Sequence, residues 1–310
     1  MMAIDGQARH HPRQSPPPDI RAAHQTRVCL VALMVLGIAS AFLFMAFPQI
    51  DIALSELFLD AETGGWPLRM DPFFQFFNDL IVGLAWAGSL VVVLALAVTS
   101  LGQRKILGLA ARAYWFVLLS LALGPGLIAN ALFKENWGRA RPRDVTELGG
   151  HLDFTPALVM SDQCTTNCSF VSGDASIAFT TVALAVLAKG NRGLLVALFL
   201  LFGGFISFIR IAQGAHFLSD TVFAGLFMCA LVLCLKYIIL DKQVTIGGMG
   251  ARLAQRLTQL GLINRPRRAS RPSQDHKARG WRHFLWLFFK AKPEDLDVSS
   301  GNNSDNRKPY

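Results

Sequence analysis

The sequence predicts an all-α integral membrane protein with six transmembrane helices and both termini on the cytoplasmic side. Three observations predict it. The 310-residue chain is 52% hydrophobic and only 16% charged, against roughly 25% charged residues in soluble domains. Its apolar residues gather into runs close to the ~20 residues that cross a bilayer as a helix. Its basic residues recur in alternate links between those runs, which sets an orientation. Composition therefore excludes a soluble domain. The net charge of +9 lies in short blocks between apolar runs, so it is expected to face anionic lipid heads and not nucleic acid.

Residues 1–27 are polar, Pro-rich and basic, and read as a disordered cytoplasmic arm. The run at 28–48 is long enough to span, and so does not read as a cleaved signal. Segment 49–78 mixes Asp51, Glu56, Asp60 and Glu62 with Leu57, Phe58, Leu59 and the cluster Phe73, Phe74, Phe76 and Phe77. It reads as an amphipathic piece lying in the outer interface. Spans follow at 79–101 and 112–133, joined by a basic link with Arg104, Lys105 and Arg112. An outer loop, 134–172, leads to two short spans, 173–189 and 193–211, joined by the tight turn Lys189-Gly190-Asn191-Arg192. A link at 211–217 precedes the sixth span, 218–240.

The six-helix unit thus occupies 28–240, and a basic cytoplasmic tail fills 241–310. The tail carries Arg265, Arg267, Arg268 and Arg271, then an aromatic stretch at 279–290 with Trp281, Trp286 and Phe288. That stretch is too short to span and reads as an inner-surface anchor. The last dozen residues read as disordered. Of five cysteines, Cys29, Cys229 and Cys234 fall inside apolar runs and read as buried packing residues. Cys164 and Cys168 share the polar outer loop, where an oxidising compartment allows a local disulfide.

The outer loop breaks the positive-inside pattern, because it carries Lys134, Arg139, Arg141 and Arg143. Charges held at such places are costly unless they serve a purpose. Three clusters share this outer side: Lys134 with Arg141 and Pro142, Ser172 with Gly173 and Asp174, and Arg210 with His216 and Asp220. Together they supply cations, an imidazole and two carboxylates, which is the inventory for holding a phosphate and attacking it with a histidine. His216 and Asp220 are four residues apart, a spacing that puts both on one face of a helix. The carboxylate would then fix the imidazole tautomer. Glycine at 173 lets backbone N–H groups approach an anion at a helix start. Plain helix caps at Ser172 and Asp220 are the bland alternatives, and the shared side of all three clusters weighs against them. The seven histidines are scattered and no HExxH or paired CxxC occurs, so neither a metal nor a cofactor is expected.

Lys134-x6-Arg141-Pro142, Ser172-Gly173 and Arg210-x5-His216-x3-Asp220 resemble the three-part signature of the type-2 phosphatidic acid phosphatase family, over residues 50–240. The resemblance implies a six-helix membrane enzyme with a metal-independent site on its outer face. Lys134, Arg141, Ser172, Gly173 and Arg210 would bind phosphate. His216 would be the nucleophile, forming a phosphohistidine, with Asp220 assisting. The chain departs from the family pattern at three positions: Val171 replaces a usual Pro, Ile209 a usual Ser, and Asp174 the usual His that protonates the leaving group. Either Asp174 acts as the general acid, or the leaving group is good enough to need none. The implied partner is a lipid phosphate reached from the periplasmic face of a bacterial inner membrane, with lipid A favoured. Undecaprenyl pyrophosphate, phosphatidylglycerophosphate and phosphatidate are alternatives, as are a phosphotransferase and a non-catalytic lipid-phosphate binder. No oligomeric state is read from the sequence.

Overall fold

The computed structural model describes residues 20–102 and 105–241. The expected arm up to residue 19 and the tail with its 279–290 segment lie outside the described residues. Among the described residues the fold is all-helical, with two isolated bridges and no strand.

Helix α1 covers Ile20–Ala46. It starts within the expected arm, because nothing after Pro18 breaks a helix before the apolar run begins. Helix α2, Gln49–Glu56, is short and buries Asp51 and Ser55. Helix α3, Pro72–Gly102, begins earlier than the expected 79. Pro72 suits the first helical position, and Asp71 Oδ1 accepts from the Phe73 and Phe74 amides at 2.9 and 3.3 Å. The phenylalanine cluster thus belongs to the first turns of a long helix, where Phe74 and Phe77 pack against Ile81, Ile206 and Ile209.

Helix α4 runs Ala111–Lys134. It widens to π turns from Ala122, and Pro125 sits inside that stretch; a proline that lacks an N–H favours such a shift. Helix α5, Gly173–Leu187, breaks at Thr181. Helix α6, Arg192–Ala212, is capped by Asn191, whose Oδ1 accepts from Leu194 N at 3.2 Å. Helix α7 is Leu218–Asp241. Five of these, α1, α3, α4, α6 and α7, are long and apolar enough to cross a membrane. Their outward faces carry exposed Val35, Phe42, Trp86, Leu90, Leu94 and Leu201, as lipid contact requires.

Helix α5 is shorter and sits at the centre, packed against α4, α6 and α7. Its inward residues are small: Ala175, Ser176, Ala178, Ala183 and Ala185 are all buried. Small residues let helix backbones approach closely. Gly203 of α6 shows how tight the fit is, since a Cβ there would meet the Phe179 ring at 2.3 Å. Helix α1 packs on α7, and α3 on α4.

The connection from Lys134 to α5 folds over the helix ends. It buries Ala140, Val145, Leu148 and Phe217 with Ile52, Trp66 and Phe154. Fully burying Val145, Leu148 and Phe217 contributes about 1.5–3 kcal/mol each. Trp137 Nε1 donates to Ala157 O at 2.8 Å. Cys164 and Cys168 are bonded to each other. The other cysteines differ from expectation: Cys29 and Cys234 are exposed and Cys229 is half-buried.

Candidate active site

The ends of α4 and α6 and the starts of α5 and α7 meet at one end of the fold. Lys134 ends α4, and Arg141 lies just before the turn Pro142–Asp144. Ser172 caps α5, its Oγ accepting from Ala175 N at 3.4 Å. Arg210 ends α6, His216 sits in the link, and Asp220 lies in the first turn of α7. The eight residues singled out from the sequence therefore share one site.

Lys134 is in electrostatic reach of Asp174, Arg141 and Arg210. A Cβ on Gly173 would meet Asn130 Oδ1 at 3.1 Å and Lys134 Nζ at 3.3 Å, so a side chain there would crowd both groups. Lys134, Gly173, Asp174 and Asn130 line a cavity of about 380 Å³. An apolar cavity of about 620 Å³ adjoins it, sharing Ala85, Leu121 and Ile177 and running between α3, α4, α5 and α6. The Arg141 guanidinium donates to Asn167 O from Nε at 3.2 Å and Nη2 at 2.6 Å. Burial, with Arg143 and Arg210 nearby, pulls Arg141 down to about 10, which leaves it charged at neutral pH. Arg210 Nε pairs with Asp174 Oδ2 at 3.0 Å, and its Nη1 donates to Gln213 Oε1 at 2.9 Å.

His216 is 1% exposed. Its Nδ1 lies 2.7 Å from Ser169 O and 3.8 Å from Asp220 Oδ2. The first is a hydrogen bond and the second is too long for one. A carbonyl only accepts, so Nδ1 carries the hydrogen and Nε2 keeps its lone pair. Burial pushes the imidazole down to about 4, with Arg141 and Arg210 acting in the same direction against Asp220. The ring is neutral at pH 7. The expected geometry is corrected here. His216 precedes α7, so the two side chains do not share a helix face. The four-residue spacing brings them together across a helix start. Asp220 Oδ2 instead accepts from Phe217 N at 2.8 Å and from the Ser169 hydroxyl.

Sequence reasoning missed several neighbours. Arg139 and Asp51 are fully buried beside Asp220. Asn78 Nδ2 donates to Gln213 Oε1 at 2.9 Å, so that amide joins α3 to Arg210. The signal for Asp51 was a lone acid between Ile50 and Ile52. Ser169 meets His216 through its backbone carbonyl, which leaves no signal, and Asp220 through its hydroxyl. Among the described residues, no group of three or more His, Cys, Asp or Glu could hold a metal ion.

Residues 113–244 match the PAP2 superfamily. The chain is 35% identical over 201 residues to a lipid A 4'-phosphatase of Francisella tularensis subsp. novicida, covering 63% of this chain and 90% of that one. Lipid A 4'-phosphatases of Rhizobium leguminosarum and Rhizobium etli are 34% identical over 197 residues and 32% over 223. These alignments cover 59% and 67% of this chain and 84% and 86% of the relatives. No solved structure matches the chain significantly.

Proposed function

The chain belongs to the PAP2 superfamily, and from that premise we propose that it hydrolyses a phosphomonoester of lipid A through a phosphohistidine at His216. The observation that carries this reading is a buried, neutral imidazole with a free Nε2 beside Arg141 and Arg210. The apolar cavity adjoining the site supports a substrate with acyl chains. The cations supply the charge that a metal ion would otherwise bring, so turnover persists in EDTA.

Lys134, Arg141 and Arg210 hold the phosphate oxygens, with the Ser172 hydroxyl and the N–H groups at the start of α5. The Nε2 lone pair attacks phosphorus, and the bond to the sugar oxygen breaks. A 4' oxygen is not anomeric, so it leaves as a poor alkoxide and needs a proton. Arriving phosphate competes with Asp174 for Arg210; the displaced carboxylate takes up the proton of the phosphate monoanion and donates it to the leaving sugar oxygen. Water attacks the phosphohistidine, its proton passes to Asp174, the P–N bond breaks and inorganic phosphate leaves. One observation favours a second reading: the Asp174–Arg210 ion pair withholds the acid. Substrates with better leaving groups, such as undecaprenyl pyrophosphate, then gain.

The proposed topology has six spans. Helix α5, about 22 Å long at 1.5 Å per residue, is the short one, shielded by its neighbours. Lys105, Arg112, Lys189 and Arg192 sit at the other end from His216 in helix order, which supports a cytoplasmic location for them and for both termini. The site then faces the periplasm of a bacterial inner membrane, where a loop disulfide is at home, and 49–71, ahead of α3, lies in the outer interface.

The test is phosphate release by detergent-purified protein in EDTA, from lipid A, undecaprenyl pyrophosphate, phosphatidylglycerophosphate and phosphatidate. Release from lipid A that vanishes in His216→Ala is expected. Release from lipid A that survives in His216→Ala overturns the reading. Asp174→Asn separates the two acid roles: loss on lipid A supports the first reading, and retained activity there supports the second.

A further inference from the structure

We propose that Arg139 and Asp51 are positioning residues for the reaction, holding Asp220 and Ser169 so that His216 keeps its Nε2 free for phosphorus. The proposal rests on His216 being the nucleophile.

Arg139 is wholly buried and uses its donors on protein groups, although it precedes Arg141 by only two positions. Its Nε donates to Thr155 O at 2.8 Å. Its Nη1 donates to Ser219 Oγ at 2.9 Å and to Asp220 Oδ1. Its Nη2 donates to Asp51 Oδ2 at 2.9 Å. Four of the five guanidinium donors are thereby fixed. The guanidinium lies over the Phe217 ring, 4.4 Å from its centroid, with Phe154 at 5.5 Å.

Arg139 reaches the nucleophile by two routes. Through its side chain it holds Asp220 Oδ1, which leaves Oδ2 for the Ser169 hydroxyl and the Phe217 amide. Through its backbone carbonyl it accepts from Ser169 N at 2.9 Å, and Ser169 O is the partner of His216 Nδ1. Both the residue beside the imidazole and the carbonyl that sets its tautomer are thus tied to one arginine.

Asp51 completes the frame from α2. Its Oδ1 accepts from Ser219 N at 2.9 Å, and its Oδ2 takes Arg139 and the Ser219 hydroxyl. The start of α7 is therefore pinned by a carboxylate from another helix. Burial raises Asp51, Arg139 opposes this, and Asp220 adds to it. Two carboxylates share one guanidinium, so removing either alters how Arg139 is held. Burying such a trio is costly, and a buried ion pair is weak evidence for stability alone. Its placement directly behind the imidazole gives it a use that stability does not require. The short helix expected to lie passively in the interface is thereby joined to the chemistry.

The test measures kcat and KM for lipid A hydrolysis, and competitive inhibition by inorganic phosphate, in Arg139→Lys and Asp51→Asn. Asp51→Asn keeps the side-chain volume and provides a folded variant if Arg139→Lys does not accumulate. Misplacement of a reacting group by about 1 Å costs on the order of 100-fold. A fall in kcat of that order is expected, with KM and the phosphate inhibition constant within about two-fold of the parent. Unchanged kcat overturns the proposal. So does a loss of activity that only tracks the amount of folded protein, because that is a structural role. Full activity in His216→Ala, run alongside, overturns the nucleophile reading itself and is distinguishable from both.

Discussion

The loop closed by Cys164 and Cys168 touches the site through Asn167, and the residue just after it, Ser169, touches the site again; opening the loop is expected to weaken substrate binding. Asn167 O receives both Arg141 bonds, and Ser169 O receives His216 Nδ1. Asn167 has a φ of 52°, in the left-handed region that asparagine enters more readily than most residues but still at some cost. The bond spans a sequence separation of 4. Chain entropy for so short a loop amounts to about 2 kcal/mol. If the open loop must be reordered each time substrate binds, affinity falls by at most about 30-fold. The assay is lipid A turnover before and after reduction, with thiol content measured, beside the variant Cys164→Ala/Cys168→Ala. Cys29, Cys229 and Cys234 form no disulfide, so reduction acts on this bond alone. KM is expected to rise by about 10- to 30-fold, with a smaller change in kcat because His216 stays buried. Full reduction with KM unchanged would refute the idea that the loop pre-organises Arg141.

Three further predictions concern pH, packing and the Arg210 support. His216 titrates at about 4 in the folded protein, below its ordinary 6.5, so the unfolded chain binds more protons between those values. Stability from this group is present above pH 6.5 and falls by about 3 kcal/mol as pH drops to 4; labelled-histidine NMR that showed titration near 6.5 would contradict it. Gly203→Ala drives a Cβ into the Phe179 ring and is expected to cost about 1–3 kcal/mol, seen as a lower thermal midpoint with little change in kcat of the folded fraction. Gln213→Leu removes the acceptor of Arg210 Nη1 and of Asn78. A drop in kcat/KM of about 10-fold is expected, and an unchanged value would show that Asp174 alone holds Arg210.

Much of the helix plan was legible, because apolar runs bounded by charge report membrane crossings directly. The runs expected at 112–133, 193–211 and 218–240 match α4, α6 and α7 to within a residue or two at each end. The start of α3 was not legible. Set in one segment with Asp51, Glu56, Asp60 and Glu62, the phenylalanines at 73, 74, 76 and 77 looked interfacial, whereas Asp71 caps the helix that contains them. The site residues converge because they stand at the ends of α4 and α6 and the starts of α5 and α7, which the fold brings together. Motif spacing singled out Arg141, but the sequence could not separate Arg139 from Arg143. Burial does, with Arg139 fully enclosed and Arg143 partly open. Nor could it show that His216 bonds a backbone carbonyl, since every residue carries one.

The central claim is that phosphate passes through His216, and trapping the phosphoenzyme tests it most directly. Purified protein is mixed with lipid A radiolabelled in its phosphates, quenched in alkali during turnover, and digested to locate the label. The account predicts label on His216 that survives alkali, is lost in acid and is absent from His216→Ala. Turnover in the same samples with no alkali-stable label, or with label on another residue, contradicts it.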